Sequence, residues 1–270
     1  MSLYVNESGT KGAPTIVFLH GAGTSGWMWQ AQIEALQDFH CLNIDLPGHG
    51  KSNHIPWVSI ADTSDQVASV IHERAANQKA FVVGLSLGAY VTLSLLSRHT
   101  ACVERAVLSG VTGKPLPNPT LMKLQMYFMS ILMQYSWFIR QQAKMLQIPA
   151  DALPYYVESA KAMSRQTLLT IFDELVFYHL SANLSQVNVP TLVSAGGSEV
   201  PQILESIDLI ASTLPNADAR IAPNLHHGWN GENPPLFTAM VRAWMTQTPL
   251  PAELTSPQTP VGVRPPVLQN

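Results

Sequence analysis

Residues 81–93 read Phe81-Val82-Val83-Gly84-Leu85-Ser86-Leu87-Gly88-Ala89-Tyr90-Val91-Thr92-Leu93. The first part is a short apolar run rich in β-formers and the second is small and apolar, so a strand passes almost directly into a helix. The serine stands at the junction, between two glycines. A bend this sharp has no room for side chains at the flanking positions, and it holds the hydroxyl above the end of the strand. The helix that starts at Leu87 aims its positive N-terminal end at the same spot, which favours an anion there. An isolated Gly-x-Ser-x-Gly occurs in ordinary turns; its strand-turn-helix setting is what points to a nucleophile.

Outward from this bend the chain repeats the same rhythm. Near-continuous apolar runs at 15–20, 41–45, 80–84 and 106–109 read as strands covered on both faces, and the helical patterns at 28–37, 62–76 and 87–98 lie between them. Lys114-Pro115-Leu116-Pro117-Asn118-Pro119 breaks the pattern. Residues 120–185 are helical in character, with breaks expected at Pro149 and Pro154. Strand character returns at 191–195 and more weakly at 219–222, with helical patterns at 201–213 and 235–246. A βαβ series that resumes after an interruption implies one core carrying a guest. The expected fold class is therefore α/β, a mostly parallel sheet flanked by helices, with an all-helical cap insertion. The core is assigned to 1–113 and 187–247, and the cap to 114–186. Residues 248–270 form a Pro-rich tail, expected to lack a fixed fold or to dock in extended form.

The chain has 270 residues, enough for one large core, and its net charge is −3 without any basic cluster, so nucleic acid is not an expected partner. Charged residues make up only 12%, about half the usual share, so either much of the surface is apolar or a lid or partner covers it. Cys41 and Cys102 lie in separate apolar stretches and read as buried free thiols, with no disulfide framework and no zinc site. The first residues show no basic leader and no apolar h-region, and no stretch is long enough for a membrane span. A cytoplasmic protein is the expectation, and a homo-oligomer stays open.

A serine hydroxyl is a poor nucleophile at neutral pH and needs a base to take its proton. Of nine histidines, His40, His54, His72, His99 and His179 have ordinary surface or core explanations, while His20 and His49 look like loop-shaping residues. His226 and His227, after the last strand, remain as candidates. They are adjacent in a loop, so they diverge rather than chelate a metal. No cofactor is expected.

Four motifs stand together in the chain: His20-Gly21-Ala22-Gly23, Asp45-Leu46-Pro47-Gly48-His49-Gly50-Lys51-Ser52, the bend at 84–88, and His227 followed by Glu232 and Pro234. With them the chain resembles the α/β-hydrolase superfamily, in its helical-cap branch with a serine nucleophile. The likeness runs from about residue 15 to 245. It implies an esterase-like serine hydrolase with Ser86 as nucleophile. Spacing to Glu232 and Pro234 in similar proteins selects His227 as base, with His226 a neighbour pointing elsewhere. The position after the penultimate strand where relatives carry an acid, most often Asp, holds Glu199, which would complete a triad or else merely cap the following helix. The oxyanion hole is implied to be the backbone N–H groups of Ala22 and Leu87.

Serine in place of the Asp used by dehalogenating and epoxide-opening relatives favours acyl chemistry. For the substrate, the apolar residues 121–133 cover more than one helical face and include Met126 and Met129, whose flexible thioethers suit varied apolar ligands. An apolar stripe at helical spacing is ordinarily plain packing; the alternative, with Trp27, Trp29 and Trp229 expected near the catalytic loops, is a pocket for a hydrophobic acyl or aromatic ester of modest size. The same motifs fit a carbon-carbon bond hydrolase, a perhydrolase or haloperoxidase, a thioesterase, an acyltransferase, or a ligand-binding protein that retained the fold.

Overall fold

The computed structural model describes residues 2–257. Strand β1 (Val5–Gly9) is followed by β2 (Thr15–Leu19), helix α1 (Gln30–Ala35), β3 (His40–Ile44), α2 (Ile60–Arg74), β4 (Ala80–Leu85), α3 (Leu87–Arg98) and β5 (Val103–Ser109). Four helices then succeed one another: α4 (Pro119–Leu132), α5 (Ser136–Met145), α6 (Leu153–Ala162) and α7 (Arg165–Val176). The chain returns to the core with β6 (Thr191–Gly196), α8 (Pro201–Thr213), β7 (Ala217–Ala222), the short α9 (Trp229–Glu232) and α10 (Pro234–Thr246). The strands form one sheet in the order β1-β3-β2-β4-β5-β6-β7, parallel except for β1, which runs antiparallel to β3.

Every residue of β2, β3, β4 and β6 is buried, because helices cover both faces of the sheet. Side chains alternate between the two layers: Val17, Leu19 and Val82 join one apolar cluster, and Ile16, Phe18, Phe81 and Val83 join the other. Strand β1 escaped the sequence reading, since Val5-Asn6-Glu7-Ser8-Gly9 has no apolar run. Backbone pairing with β3 holds it at the sheet edge, where polar side chains meet water. The helix expected over 28–37 is shorter than its pattern: a 3-10 turn at Gly26–Trp29 leads into α1 and turns Trp29 into the core. Pro154, expected to break a helix, instead lies in the first turn of α6, where a missing N–H costs nothing.

The helices between β5 and β6 rest on the core through α7. Glu174 accepts hydrogen bonds from Trp57 Nε1 at 2.9 Å and from the Ile60 N–H at 3.0 Å. Helix α4 in turn packs on α7, with Lys123 paired to Asp173 at 2.9 Å and Arg165 donating to Ser130 at 2.9 Å. After α10 the chain stays on the body. Leu254 is buried, and Thr255 exchanges two backbone hydrogen bonds with Ile221, at 2.7 and 2.9 Å, on the edge strand β7. Open backbone groups on that edge account for the docking of a stretch that its proline content had marked as loose. Residues 258–270 of the expected tail lie outside the described residues. Cys41 and Cys102 are buried and free, and burial pushes both thiols up to about 11, which leaves them unreactive.

The junction of β4 and α3 is possible only because two residues lack a side chain. A Cβ on Gly84 would strike the backbone of Gly88, and one on Gly88 would strike the carbonyl of Leu19 in β2. Gly88→Ala forces the helix away from the sheet, and we expect it to lower unfolding free energy by about 3 kcal/mol. A urea denaturation curve with an unchanged midpoint would contradict this contact.

Candidate active site

Ser86 stands at the end of β4 with φ 54° and ψ −118°, a left-handed conformation that a side-chain-bearing residue rarely adopts. The neighbours hold it there. Its N–H donates to the carbonyl of Ser109 at 2.8 Å, extending the ladder between β4 and β5, while its own carbonyl accepts from Ala89 and Tyr90 in the first turn of α3. The side chain is thereby lifted off the sheet at the positive end of a twelve-residue helix.

The loop after β2 is shaped from behind by His20. This ring is fully buried, and burial lowers its pKa to about 4, with the hydrogen bond to Gly21 opposing the shift. Its partners define the neutral tautomer: Nδ1 donates to the Gly21 carbonyl at 2.8 Å, and Nε2 accepts the Leu46 N–H at 3.0 Å. Thr24 adds its hydroxyl at 2.7 Å and its N–H at 3.3 Å to the same carbonyl. In a trans peptide the C=O and the following N–H point in opposite directions, so drawing the Gly21 carbonyl inward turns the Ala22 N–H outward. This loop meets the serine directly: a Cβ on Gly21 would lie 3.5 Å from Ser86 Cβ.

Behind it the Asp45–Ser52 motif forms a buried brace. Asp45 accepts the N–H of Gly26 and that of Lys51, each at 2.8 Å. His49 is also enclosed. Its Nδ1 donates to the Pro47 carbonyl at 2.9 Å, and burial together with the neighbouring His20 ring lowers its pKa to about 3.

Next to Gly110, at the end of β5, His227 Nδ1 and Glu199 Oε1 are 2.6 Å apart, and the Glu199 side chain is only 4% exposed. The turn after β6 aims this carboxylate. Gly197 N–H donates to Ala222, Ser198 N–H to Leu225 and Glu199 N–H to Gly196, and a Cβ on Gly196 would strike the carbonyls of Leu225 and His226. Helix α8 begins at Pro201 without a side-chain cap, so Glu199 is not used there. His226 has a different partner: Glu232 accepts both its Nδ1–H and its backbone N–H at 3.0 Å. The adjacent imidazoles thus serve separate carboxylates.

Gly110 is the hinge of this arrangement. It has φ +64°, and a Cβ there would come within 2.8 Å of His227 Cε1 and 3.2 Å of Glu199 Oε1. It follows Ser109, whose carbonyl holds Ser86. The imidazole, the acid and the serine therefore all border the peptide at the end of β5. Gly110 has no place among the residues singled out from the sequence. The signal was present in a glycine directly following a strand that neighbours the serine bend.

Of the five residues expected to contact substrate, two are core. Trp29 is wholly buried against Phe18 and Phe237, and Trp229 is wholly buried with Nε1 donating to Ser109 Oγ at 2.9 Å. Both were placed near the catalytic loops by sequence adjacency, but the helical turns that follow those loops rotate them inward. Trp27 lies at the seam between core and α6, stacked on Tyr155 with Nε1 on Ser159 Oγ at 2.9 Å. It borders a cleft of about 380 Å³ that neither Ser86 nor His227 lines. Met126 and Met129 are half-buried on α4. A methionine that sequence reading did not single out for the pocket lies closer: Met163, buried after α6, has Cε 3.9 Å from the Cβ position of Gly23 on the loop after β2.

Known proteins share this architecture. An AB hydrolase superfamily protein of Gibberella zeae is 25% identical, over 91% of this chain and 84% of its own. A pimeloyl-[acyl-carrier protein] methyl ester esterase of Nitrosomonas europaea is 26% identical, over 84% of this chain and 92% of its own. Among solved structures, a thermophilic esterase from Thermogutta terrifontis superposes with a TM-score of 0.77 at 21% identity, covering 91% of this chain and 93% of that one. Residues 16–252 match the family described as the alpha/beta hydrolase family, and this chain belongs to it.

Proposed function

We propose that the protein is a serine hydrolase that cleaves esters of hydrophobic acyl or aromatic groups through an acyl-enzyme. The observation that carries this reading is the short contact of His227 Nδ1 with the buried Glu199 carboxylate, beside the peptide that supports Ser86. An ionised carboxylate accepting from Nδ1 fixes the tautomer in which Nε2 is free to act as a base. In the reaction, Ser86 Oγ attacks the ester carbonyl carbon while its proton passes to His227 Nε2. The resulting oxyanion is met by the N–H groups of Ala22 and Leu87. As the intermediate collapses, Nε2–H protonates the departing alkoxide and the acyl group stays on Ser86. Water then repeats the sequence, giving its proton to Nε2 and releasing the carboxylic acid. Glu199 remains ionised and stabilises the imidazolium at each stage.

One observation favours an apolar acyl or aromatic group: the buried Met163 borders the loop that would hold the oxyanion. The ester esterase among the relatives agrees with the reaction class. Preference of the purified protein for butyryl and longer p-nitrophenyl esters over charged esters tests the substrate class, and the opposite order removes it. For the acid, Glu199→Gln is expected to lower kcat about a hundredfold with little change in KM, a smaller loss than at Ser86 or His227. Wild-type kinetics in this variant would withdraw Glu199 from the mechanism.

A further inference from the structure

Helices α4 and α5 each expose large apolar side chains, in a stretch with a one-sided charge pattern. On α4, Leu121, Leu124, Phe128, Ile131 and Leu132 recur at helical spacing on one exposed stripe, with Leu124 at 53% and Phe128 at 58% exposure. Further along the chain Tyr135 is exposed, and on α5 Trp137 is 63% and Met145 69% exposed. Such a patch on a soluble domain marks a surface that meets something apolar. From Arg105 to Ala150 the chain contains no Asp or Glu, whereas Arg140 and Lys144 stand exposed on the same helix as Trp137 and Met145. Lys123 on α4 is already neutralised by Asp173.

From this pattern we infer that α4 and the exposed face of α5 form a peripheral docking surface for an anionic lipid interface. Leucines and phenylalanine enter the acyl boundary, Trp137 and Tyr135 sit at headgroup level, and Arg140 and Lys144 meet the lipid charges. The absence of acid from the segment removes the repulsion that would otherwise oppose approach. A second copy of the chain fits less well, because a twofold contact through this face would bring the same cations against each other. No helix among the described residues is long and apolar enough to cross a membrane, so the association would be lateral and reversible.

The test is co-sedimentation of the full chain with vesicles of phosphatidylcholine alone and of phosphatidylcholine mixed in equal parts with phosphatidylglycerol. Partitioning is expected to be about tenfold stronger on the mixed vesicles and to fall towards the neutral value at high salt. Leu124→Ser with Phe128→Ser should reduce partitioning on both vesicles at least about tenfold while leaving turnover of a water-soluble acetyl ester unchanged. Arg140→Gln with Lys144→Gln should remove only the difference between the two vesicles. Wild type that ignores both vesicles, or binds them equally at low salt, overturns the inference. So does a concentration-dependent dimer in analytical ultracentrifugation that the serine pair dissolves. Ser86→Ala should bind vesicles as wild type does, so this result stands or falls apart from the hydrolytic reading.

Discussion

Ser86→Ala is expected to lower kcat on p-nitrophenyl butyrate by about four to six orders of magnitude, and His227→Ala by a similar factor. In the proposed mechanism the two residues act as one unit: without the hydroxyl there would be no acyl-enzyme to form, and without the imidazole the hydroxyl would keep its proton. The double variant should consequently be no slower than either single one, because the second removal takes away nothing that still functions. Residual rate above the uncatalysed reaction would come from the N–H groups of Ala22 and Leu87, which are main-chain and survive both changes. A fluorophosphonate probe reads the nucleophile independently of turnover: wild type should be labelled and Ser86→Ala should not. Equal labelling of both proteins would remove Ser86 from the mechanism. The backbone at φ 54° should persist in the alanine variant, since it is held by Ser109, Ala89 and Tyr90 rather than by the hydroxyl.

Acid should destabilise the fold well before its carboxylates protonate. His20 and His49 are held neutral in the native state, with pKa values of about 4 and about 3, against about 6.5 in an unfolded chain. Between those limits the unfolded state binds protons that the native state refuses, so stability rises with pH. The contribution is complete above about pH 6.5 and is lost progressively as pH falls towards 4 and then 3. With both rings titrating, the loss between pH 7 and pH 5 amounts to about 4 kcal/mol, a large part of a typical domain's stability. Carboxylates whose pKa values are lowered by partners, Asp38 beside Arg242, Asp65 beside Arg98 and His99, and Glu7 beside His40 and Lys11, act in a lower range, losing their contribution only below about pH 4 to 4.5. Urea midpoints at pH 7 and pH 5 isolate the histidine effect. His49→Gln should flatten the slope between them, and an unchanged slope would show that the ring is protonated in the native state.

His20 links the two results. Its neutral form donates from Nδ1 and accepts at Nε2, joining the loop after β2 to the backbone at Leu46. Protonation would leave Nε2–H facing the Leu46 N–H, while Nδ1–H would still donate to the Gly21 carbonyl, so the lost link is the one to Leu46. The buried ring that makes the fold acid-sensitive is thus also the one that holds the carbonyl whose peptide turns the Ala22 N–H outward.

Much of the architecture is legible along the chain because its contacts are local or repetitive. Buried parallel strands need apolar residues on both faces, so β2 to β6 stand out as apolar runs, and α3 and α8 coincide with their sequence patterns. Strand β1 was invisible because an edge strand is held by backbone pairing and requires no apolar face. Backbone pairing likewise decided between the two states open to the tail, docking its start at Leu254 and Thr255. Trp29 and Trp229 were misplaced because nearness in sequence to a catalytic loop does not specify which way a short helical turn rotates the side chain.

From the sequence by itself came the strand-turn-helix bend at Ser86, the interrupted α/β order and a short set of candidate histidines and carboxylates, since each rests on residues a few positions apart. Only the tertiary structure decided which carboxylate serves which imidazole, Glu199 for His227 and Glu232 for His226, and that Gly110 leaves room for the first pair. It alone showed that the apolar stripe of α4 is left open rather than packed away. The physical reason is that these outcomes depend on how closely separate backbones approach, and hydropathy and spacing carry no record of that distance.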